Sequence, residues 1–191
     1  LQKSAGVKLS EAEVATLNAR AEGWAAGLQM AAISLRGRAD PGAFLAAFAG
    51  SHRYVFDYLL EQVLSRQTPE IRAFLLKTSL LERFSAPLCA AVAGTEAARQ
   101  FLDTLERDNL FLVPLDDERG WYRYHHLFAD LLKMMLERSE AGLAADLHRR
   151  ASAWHEAQGL IPEAINHALA AGEAEQAARL VSANVLALLG C

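Results

Sequence analysis

Two short β-prone runs joined by a polar turn limit what this chain can fold into more than any other feature of its sequence. The runs LFLVPL (residues 110–115) and WYRY (residues 121–124) flank the charged segment DDERG. Runs of this kind with a short connection are typical of a β-hairpin. Since the segments on both sides have helical periodicity, the sequence predicts a mainly α-helical protein with a small hairpin.

Helix start and stop signals lie directly before the hairpin. Thr68 followed by Pro69 has the residue types favoured at an N-cap and at the first helical position, which predicts a helix from there. Ser85 is a candidate N-cap for a short second helix over residues 87–92, which stops at Gly94.

A third helix and the segment after the hairpin complete the pattern. Thr95 is expected to cap a helix over residues 96–109, and residues 127–136 return to helical periodicity. Helices in this order, followed by a β-wing and a closing helix, are the arrangement of a winged helix. We therefore predict a winged-helix domain over residues 67–138.

Helical segments are also predicted on both sides of that domain. Residues 1–66 have apolar side chains at three- and four-residue steps, which indicates a helical domain. Residues 139–191 are Ala-rich, with turns expected at Gly159 and Gly172. Because residues 147–169 resemble a tetratricopeptide-like helix pair, the last segment is predicted to begin a series of helical repeats.

The charge and cysteine content argue against several classes of protein. With 19 basic and 23 acidic residues, the chain has no basic excess to neutralise nucleic-acid phosphates. Two cysteines make no disulfide framework, so we expect a cytoplasmic location. No apolar run is long enough to span a membrane, so no membrane partner is expected. A first residue other than Met and an apolar last segment indicate a piece of a longer protein.

Patterns that could carry catalysis or bind a metal ion are weak. The six histidines lack a cysteine at zinc-ligand spacing, so no metal site is expected. The acidic residues 116–118 fit a solvated turn better than a catalytic carboxylate site. The sequence contains no Gly-x-x-x-x-Gly-Lys-Ser/Thr loop, so we expect that this chain has no catalytic residues and cannot hydrolyse ATP by itself.

Blocks of sequence spread over nearly the whole chain resemble one family of regulators. They are residues 22–32, 50–59, 109–116, 122–132 and 154–171. In this order and spacing they resemble the large ATP-binding LuxR-family transcriptional regulators of the maltose-activator type, which are signal-transduction NTPases with numerous domains. The resemblance implies a helical lid over residues 1–66, a winged helix over residues 67–138 and the first repeats of a sensor over residues 139–191.

The resemblance also implies where a nucleotide would be contacted. In the family a Gly-Leu-Pro-Leu block of the lid closes over the adenine and ribose, and Gly27, Leu28 and Gln29 occupy that position here, with Gln29 replacing the proline. A Met-His-Asp motif of the winged helix places its histidine near the diphosphate of ADP. His125 aligns with that histidine, and His126 stands in place of the aspartate. ATP or ADP is thus the expected cofactor of the full-length protein, with no tight binding by this chain alone.

The chemistry of imidazole is compatible with this role for His125. An imidazole can donate a hydrogen bond to a phosphate oxygen, and a helix that starts just after His125 would direct free N–H groups at an anion. The structural alternative is that His125 and His126 cap the last helix and pack on the wing. Adjacent histidines in extended chain are expected to point to opposite faces.

The resemblance implies an internal switch module that couples nucleotide state to a helical sensor. Its partners would be an upstream ATPase domain and downstream repeats of the same chain, an unknown small-molecule or protein inducer, and DNA only through a separate C-terminal helix-turn-helix.

Two alternatives remain open. The first is an autonomous winged-helix DNA-binding domain, although the predicted third helix has two arginines against four acidic residues, which is unfavourable near phosphates. The second is a scaffold of helical repeats that binds proteins, which leaves the wing unexplained.

Overall fold

The computed structural model describes residues 60, 63–108, 110–139 and 142–184. The chain divides into two compact units, Leu1–Arg66 and Gln67–Cys191. The helices predicted over residues 1–59 lie outside the described residues, so the helical lid stays a prediction. Within the described end of the first unit, Leu64–Arg66 forms one turn of 3-10 helix.

The second unit begins with helices in the order that the sequence predicts. They are α1 (Pro69–Thr78), α2 (Ala86–Ala93) and α3 (Ala98–Arg107). Thr68 caps α1, because its side chain accepts a hydrogen bond from the Ile71 amide at 3.4 Å. Gly94 ends α2 with a φ of 69°, a left-handed conformation that glycine adopts without steric cost.

Two of the predicted caps differ from the structure. Ser85 occupies the N-cap position of α2, but in this described segment its side chain makes no capping hydrogen bond. α3 begins at Ala98 rather than at residue 96, so Thr95 is not its cap. The Thr95 hydroxyl instead accepts a hydrogen bond from the Ala97 amide at 3.2 Å. Such local side-chain bonds stabilise a turn and compete with the helix.

The predicted hairpin is present as two antiparallel strands, β1 (Leu112–Pro114) and β2 (Tyr122–Tyr124). β1 is shorter than predicted because Phe111 has a φ of 58°, outside the extended region. At the tip, the Asp116 carboxylate accepts hydrogen bonds from two backbone amides on the far side of the turn, at 2.7 and 2.9 Å. Side-chain bonds of this kind close a turn, so the acidic tip serves the hairpin itself.

A further segment, which the sequence did not predict, pairs with the hairpin. Phe84, in the connection between α1 and α2, forms an isolated antiparallel bridge with Tyr122. The two residues exchange both of their backbone hydrogen bonds, each 2.8 Å long. The rings of Phe84 and Tyr124 lie 4.6 Å apart, and the Tyr124 hydroxyl lies 2.7 Å from that of Thr78 in α1. Backbone and side-chain contacts therefore both attach the hairpin to the helices.

Helices follow the hairpin to the end of the described chain. They are α4 (His126–Glu137), α5 (Leu143–Ala157), α6 (Ile161–Ala170) and α7 (Ala174–Ala183). The predicted turns at Gly159 and Gly172 are present, with φ of 73° and 79°. The mainly α fold with a small hairpin is thus confirmed, whereas the tetratricopeptide-like character of the last helices stays a prediction. Among the described residues, no helix is both long and apolar enough to cross a membrane.

The winged helix and the following helices pack together in the second unit. Its largest fully buried side chains come from α1, α2, α3, α4, β2 and the connection before α2, and include Leu75, Leu88, Leu102, Leu105, Phe128 and Leu131. α5 packs on both α2 and α4. The predicted boundary near residue 138 therefore separates segments that share one compact unit, and its functional meaning stays a prediction.

Two positively charged side chains donate hydrogen bonds to the C-terminal end of α2. Arg150 of α5 donates a hydrogen bond to the Val92 carbonyl at 3.3 Å, and Lys77 of α1 donates one to the Ala93 carbonyl at 3.2 Å. The last carbonyls of a helix lack partners within it and carry partial negative charge, so cations are favourable there. The end of α2 is thereby connected to the helix before it and to the first helix after the winged helix.

Replacing Tyr124 with phenylalanine tests how strongly β2 is held on α1. The Tyr124 hydroxyl is buried against Thr78, whereas the Tyr122 hydroxyl makes a longer bond of 3.3 Å to Glu106, whose side chain is 24% exposed. We expect Tyr124→Phe to lower the free energy of unfolding by about 1–2 kcal/mol and the matched variant Tyr122→Phe by less than about 0.5 kcal/mol. Urea denaturation measures both values, and equal losses would contradict this description of the hairpin.

Candidate functional site

His125, the candidate nucleotide contact, lies at the junction of β2 and α4. Its amide donates a hydrogen bond to the Phe111 carbonyl at 2.7 Å, and its carbonyl accepts hydrogen bonds from the amides of Phe128 and Ala129, both at 2.9 Å. The backbone has a φ of −57° and a ψ of 134° at His125 and is helical from His126 onward. The prediction that a helix starts just after His125 is confirmed.

Aromatic rings surround His125 and leave 4% of its surface exposed. The rings of Phe111 and Phe128 stack with centroids 4.9 Å apart, and the Phe111 ring meets the His125 imidazole edge-on at 6.3 Å. The left-handed φ of Phe111 is uncommon for a bulky residue. A hydrogen bond made by an imidazole in such apolar surroundings is stronger than one made in water.

The imidazoles of His125 and His126 do not point to opposite faces, contrary to the expectation for an extended chain. Their imidazole rings stack with centroids 4.6 Å apart and planes 25° apart. The physical reason is that the backbone changes from extended to helical between His125 and His126, which removes the alternation of a strand. His126 is half-buried, while His125 is buried.

The first turn of α4 carries no acidic side chain. This turn, residues 126–129, consists of a histidine and three apolar residues. The first amides of a helix carry partial positive charge, which favours a negatively charged ligand over a cation. The other residues of the predicted nucleotide site, Gly27, Leu28 and Gln29, lie outside the described residues.

The basic side chains of α3 and of the hairpin tip are paired with acidic side chains of the same domain. Arg99 lies 3.1 Å from Asp103, and Arg119 at the hairpin tip lies 2.8 Å from Glu106 in α3. The Tyr122 hydroxyl also donates a hydrogen bond to Glu106, at 3.3 Å. In a winged helix that reads DNA, this helix and wing would need free cations for the phosphates. Here those cations neutralise local carboxylates.

Arg83 connects the hairpin to the helices after it, which sequence reasoning missed. Its guanidinium carbon lies 5.5 Å from the centroid of the Trp121 ring, and its Nη2 atom lies 2.5 Å from the Glu163 carboxylate at the start of α6. The Arg83 side chain is 56% exposed, so the ion pair contributes little stability by itself. Sequence patterns do not reveal an ion pair between residues 80 positions apart.

Histidines of α5 and α6 line a cavity next to Arg83. The cavity has a volume of about 670 Å³ and is lined by Leu80, Glu82, Arg83, His148, His155, Pro162, Glu163, Asn166, His167 and Ala170. Among the residues that the structure describes, no group of three or more His, Cys, Asp or Glu side chains could hold a metal ion. This group of histidines also escaped sequence reasoning, because it forms only when α5 and α6 pack together.

Residues 60–144 match the family of the MalT winged helix domain. Serine/threonine-protein kinase PknK of Mycobacterium tuberculosis is 41% identical over 181 residues, which is 95% of this chain and 16% of that protein. HTH-type transcriptional regulator MalT of Klebsiella pneumoniae is 39% identical over 155 residues, covering 80% of this chain and 17% of that protein. The same regulator of Cronobacter sakazakii is 39% identical over 158 residues. The chain spans about a sixth of the length of these relatives.

The charge pairing on α3 and the hairpin tip predicts that this chain binds duplex DNA no better than an acidic control protein of similar size. A mobility-shift titration at low salt is the appropriate measurement, because weak phosphate contacts are strongest there. A sequence-specific shift at submicromolar protein would contradict the prediction and would assign DNA binding to the winged helix itself.

Proposed function

We propose that this chain, whose residues 60–144 match the MalT winged helix domain, is the internal switch module of an ATP-dependent, MalT-type transcriptional regulator. In this role the module relays the nucleotide state of an upstream ATPase domain to downstream sensor repeats of the same chain. The output on promoters belongs to a separate DNA-binding domain. The module itself catalyses no reaction, and the whole protein acts in the cytoplasm as a slow ATPase switch that responds to an inducer.

One observation carries this proposal. Nearly the same segment occurs in relatives whose names specify different activities, a serine/threonine-protein kinase and an HTH-type transcriptional regulator. A segment common to both is better suited to regulating an output domain than to carrying out phosphorylation or DNA recognition itself. The pairing of Arg119 with Glu106 and of Arg99 with Asp103 supports the same conclusion, because it removes free cations from the surface that would face DNA.

The packing of the second unit supports the relay. α5 packs on α2 and α4, while Arg150 binds the end of α2 and Arg83 binds Glu163 of α6. A displacement of the winged helix would therefore be transmitted to the first helices of the sensor. Coupling of this kind requires two arrangements with different nucleotide affinity, which is the property that defines a switch.

The nucleotide contact that we propose is His125, with Gly27, Leu28 and Gln29 of the lid over the adenine and ribose. His125 would donate a hydrogen bond to the diphosphate of ADP in the resting state. The start of α4 directly after His125 supports this role, because the partial positive charge of the helix end favours an anion at the same place. The apolar surroundings of the imidazole would strengthen such a bond.

A second candidate concerns the output of the whole protein. The match to the kinase covers 95% of this chain, against 80% for the regulator of Klebsiella pneumoniae. That coverage favours a protein in which the same switch module controls a kinase domain. The role of the module is the same in both candidates, and the domains that flank it distinguish them.

The variants His125→Ala and His126→Ala in the full-length protein test the switch. Loss of a charge-assisted hydrogen bond of about 1.5–3 kcal/mol should weaken ADP binding relative to ATP by roughly tenfold to a hundredfold in His125→Ala. Because the resting state is then less stable, activity without inducer should rise. His126→Ala is the matched control, because it removes the ring that stacks on His125 but keeps the proposed donor, so the nucleotide preference should stay unchanged.

Nucleotide affinities by calorimetry, with thermal melting of each variant, separate these outcomes. An unchanged ratio of ADP to ATP affinity in a folded His125→Ala protein would make His125 a structural residue. DNA-dependent reporter activity or kinase activity that rises together with the altered ratio would support the relay.

A further inference from the structure

The closest contact between the imidazoles of α5 and α6 requires a particular protonation state. The Nδ1 atoms of His148 and His167 lie 2.8 Å apart, and their ring centroids lie 5.1 Å apart. At this distance one Nδ1 must carry the proton and donate it, while the other must accept it through its lone pair. If both imidazoles were charged, each Nδ1 would carry a proton and the contact would be repulsive.

The surroundings of the pair favour the neutral forms. The His155 ring stacks on the His167 ring at a centroid distance of 5.2 Å, and the His155 Nδ1 atom lies 2.8 Å from the Ala151 carbonyl. The other charged groups that line the same cavity are Glu82, Arg83 and Glu163. The Glu163 carboxylate forms an ion pair with Arg83 at 2.5 Å, and this pairing partly neutralises its charge near the histidines.

We propose that the His148–His167 pair is an acid-sensitive contact, which holds α5 against α6 while the two Nδ1 atoms share one proton and which opens when both imidazoles are protonated. The separation of 2.8 Å between the two Nδ1 atoms fits a shared proton and is incompatible with a proton on each Nδ1. Both half-buried imidazoles line the cavity of about 670 Å³, which gives them room to separate and to be hydrated when charged. The pair involves no nucleotide and does not depend on the switch function.

Opening of the pair has a consequence for the contact with the winged helix. Glu163 and His167 lie one turn apart on α6, and Glu163 is the residue that binds Arg83. Arg83 in turn lies over the Trp121 ring of the hairpin segment. Displacement of α6 from α5 would move Glu163 away from Arg83, so acid would weaken the connection between the hairpin and the helices after it.

The direction of the pH dependence follows from the partial burial of the two imidazoles. Burial, together with the charges of His148 and His155, lowers the pKa of His167 from 6.5 to about 4, against the opposing effect of Glu163. Burial also lowers the pKa of His148. The unfolded chain therefore binds more protons than the folded chain between about pH 6.5 and pH 4. The stability that the neutral pair contributes is present above that range and is lost as the pH falls through it.

Side-chain ¹⁵N NMR of the intact 191-residue chain tests the shared proton directly. At neutral pH one imidazole of the pair should carry hydrogen on Nδ1, the other should have a bare Nδ1, and a ¹⁵N–¹⁵N coupling across the hydrogen bond should connect them. Both signatures should disappear together on acidification. Two imidazoles that each carry their proton on Nε2, or that titrate independently near the pKa of free histidine, would overturn the proposal.

The variants His167→Asn and His148→Asn measure the consequence for stability. Asparagine places an amide group near the position of Nδ1 but does not ionise. The urea midpoint of the native chain should fall between about pH 7 and pH 4.5 by more than that of either variant. The urea midpoint of the double variant should depend on pH as strongly as that of each single variant, because either substitution alone already removes the contact between the two imidazoles. Equal acid sensitivity in native and variant chains would overturn the proposal.

Discussion

The exchange of backbone hydrogen bonds between Phe84 and Tyr122 is the interaction on which the rest of the second unit depends. It attaches the hairpin to the connection between α1 and α2, and the ring of Tyr124 then packs on Phe84 beside Thr78. A two-stranded hairpin is barely stable alone, so this attachment is what fixes it. Since β2 leads directly into α4, the same contact sets the position of His125.

In a hairpin fixed in this way, charged side chains at the tip contact the domain itself. Arg119 at the tip binds Glu106, and the Asp116 carboxylate closes the turn. Arg83, adjacent to Phe84, extends the contact to Glu163 of α6. The winged helix therefore makes most of its charged contacts with its own chain, which agrees with the match of residues 60–144 to the MalT winged helix domain and with relatives whose names specify different activities. These paired charges are unfavourable for reading a base sequence and agree with the proposed relay.

Local signals in the sequence were sufficient to predict the helices and strands but not the contacts between them. Pro69, Gly94 and the turn before Trp121 act over a few residues, and they predicted α1, the end of α2 and the hairpin. The Phe84–Tyr122 bridge, the Arg83–Glu163 pair and the His148–His167 contact join residues far apart in sequence, and no periodicity encodes them. The predicted role of His125 came from a resemblance, and the structure supplies its backbone position and burial.

Native-state hydrogen exchange of the chain tests most directly whether this bridge organises the unit. The amides of Phe84 and Tyr122 should exchange only through global unfolding, and the buried amides of α5, such as that of Ala151, should exchange with the same free energy of opening. That result would mean that the winged helix and the first helices after it form one cooperative unit. Exchange of the α5 amides through a much smaller opening free energy, while Phe84 and Tyr122 stay protected, would contradict the account.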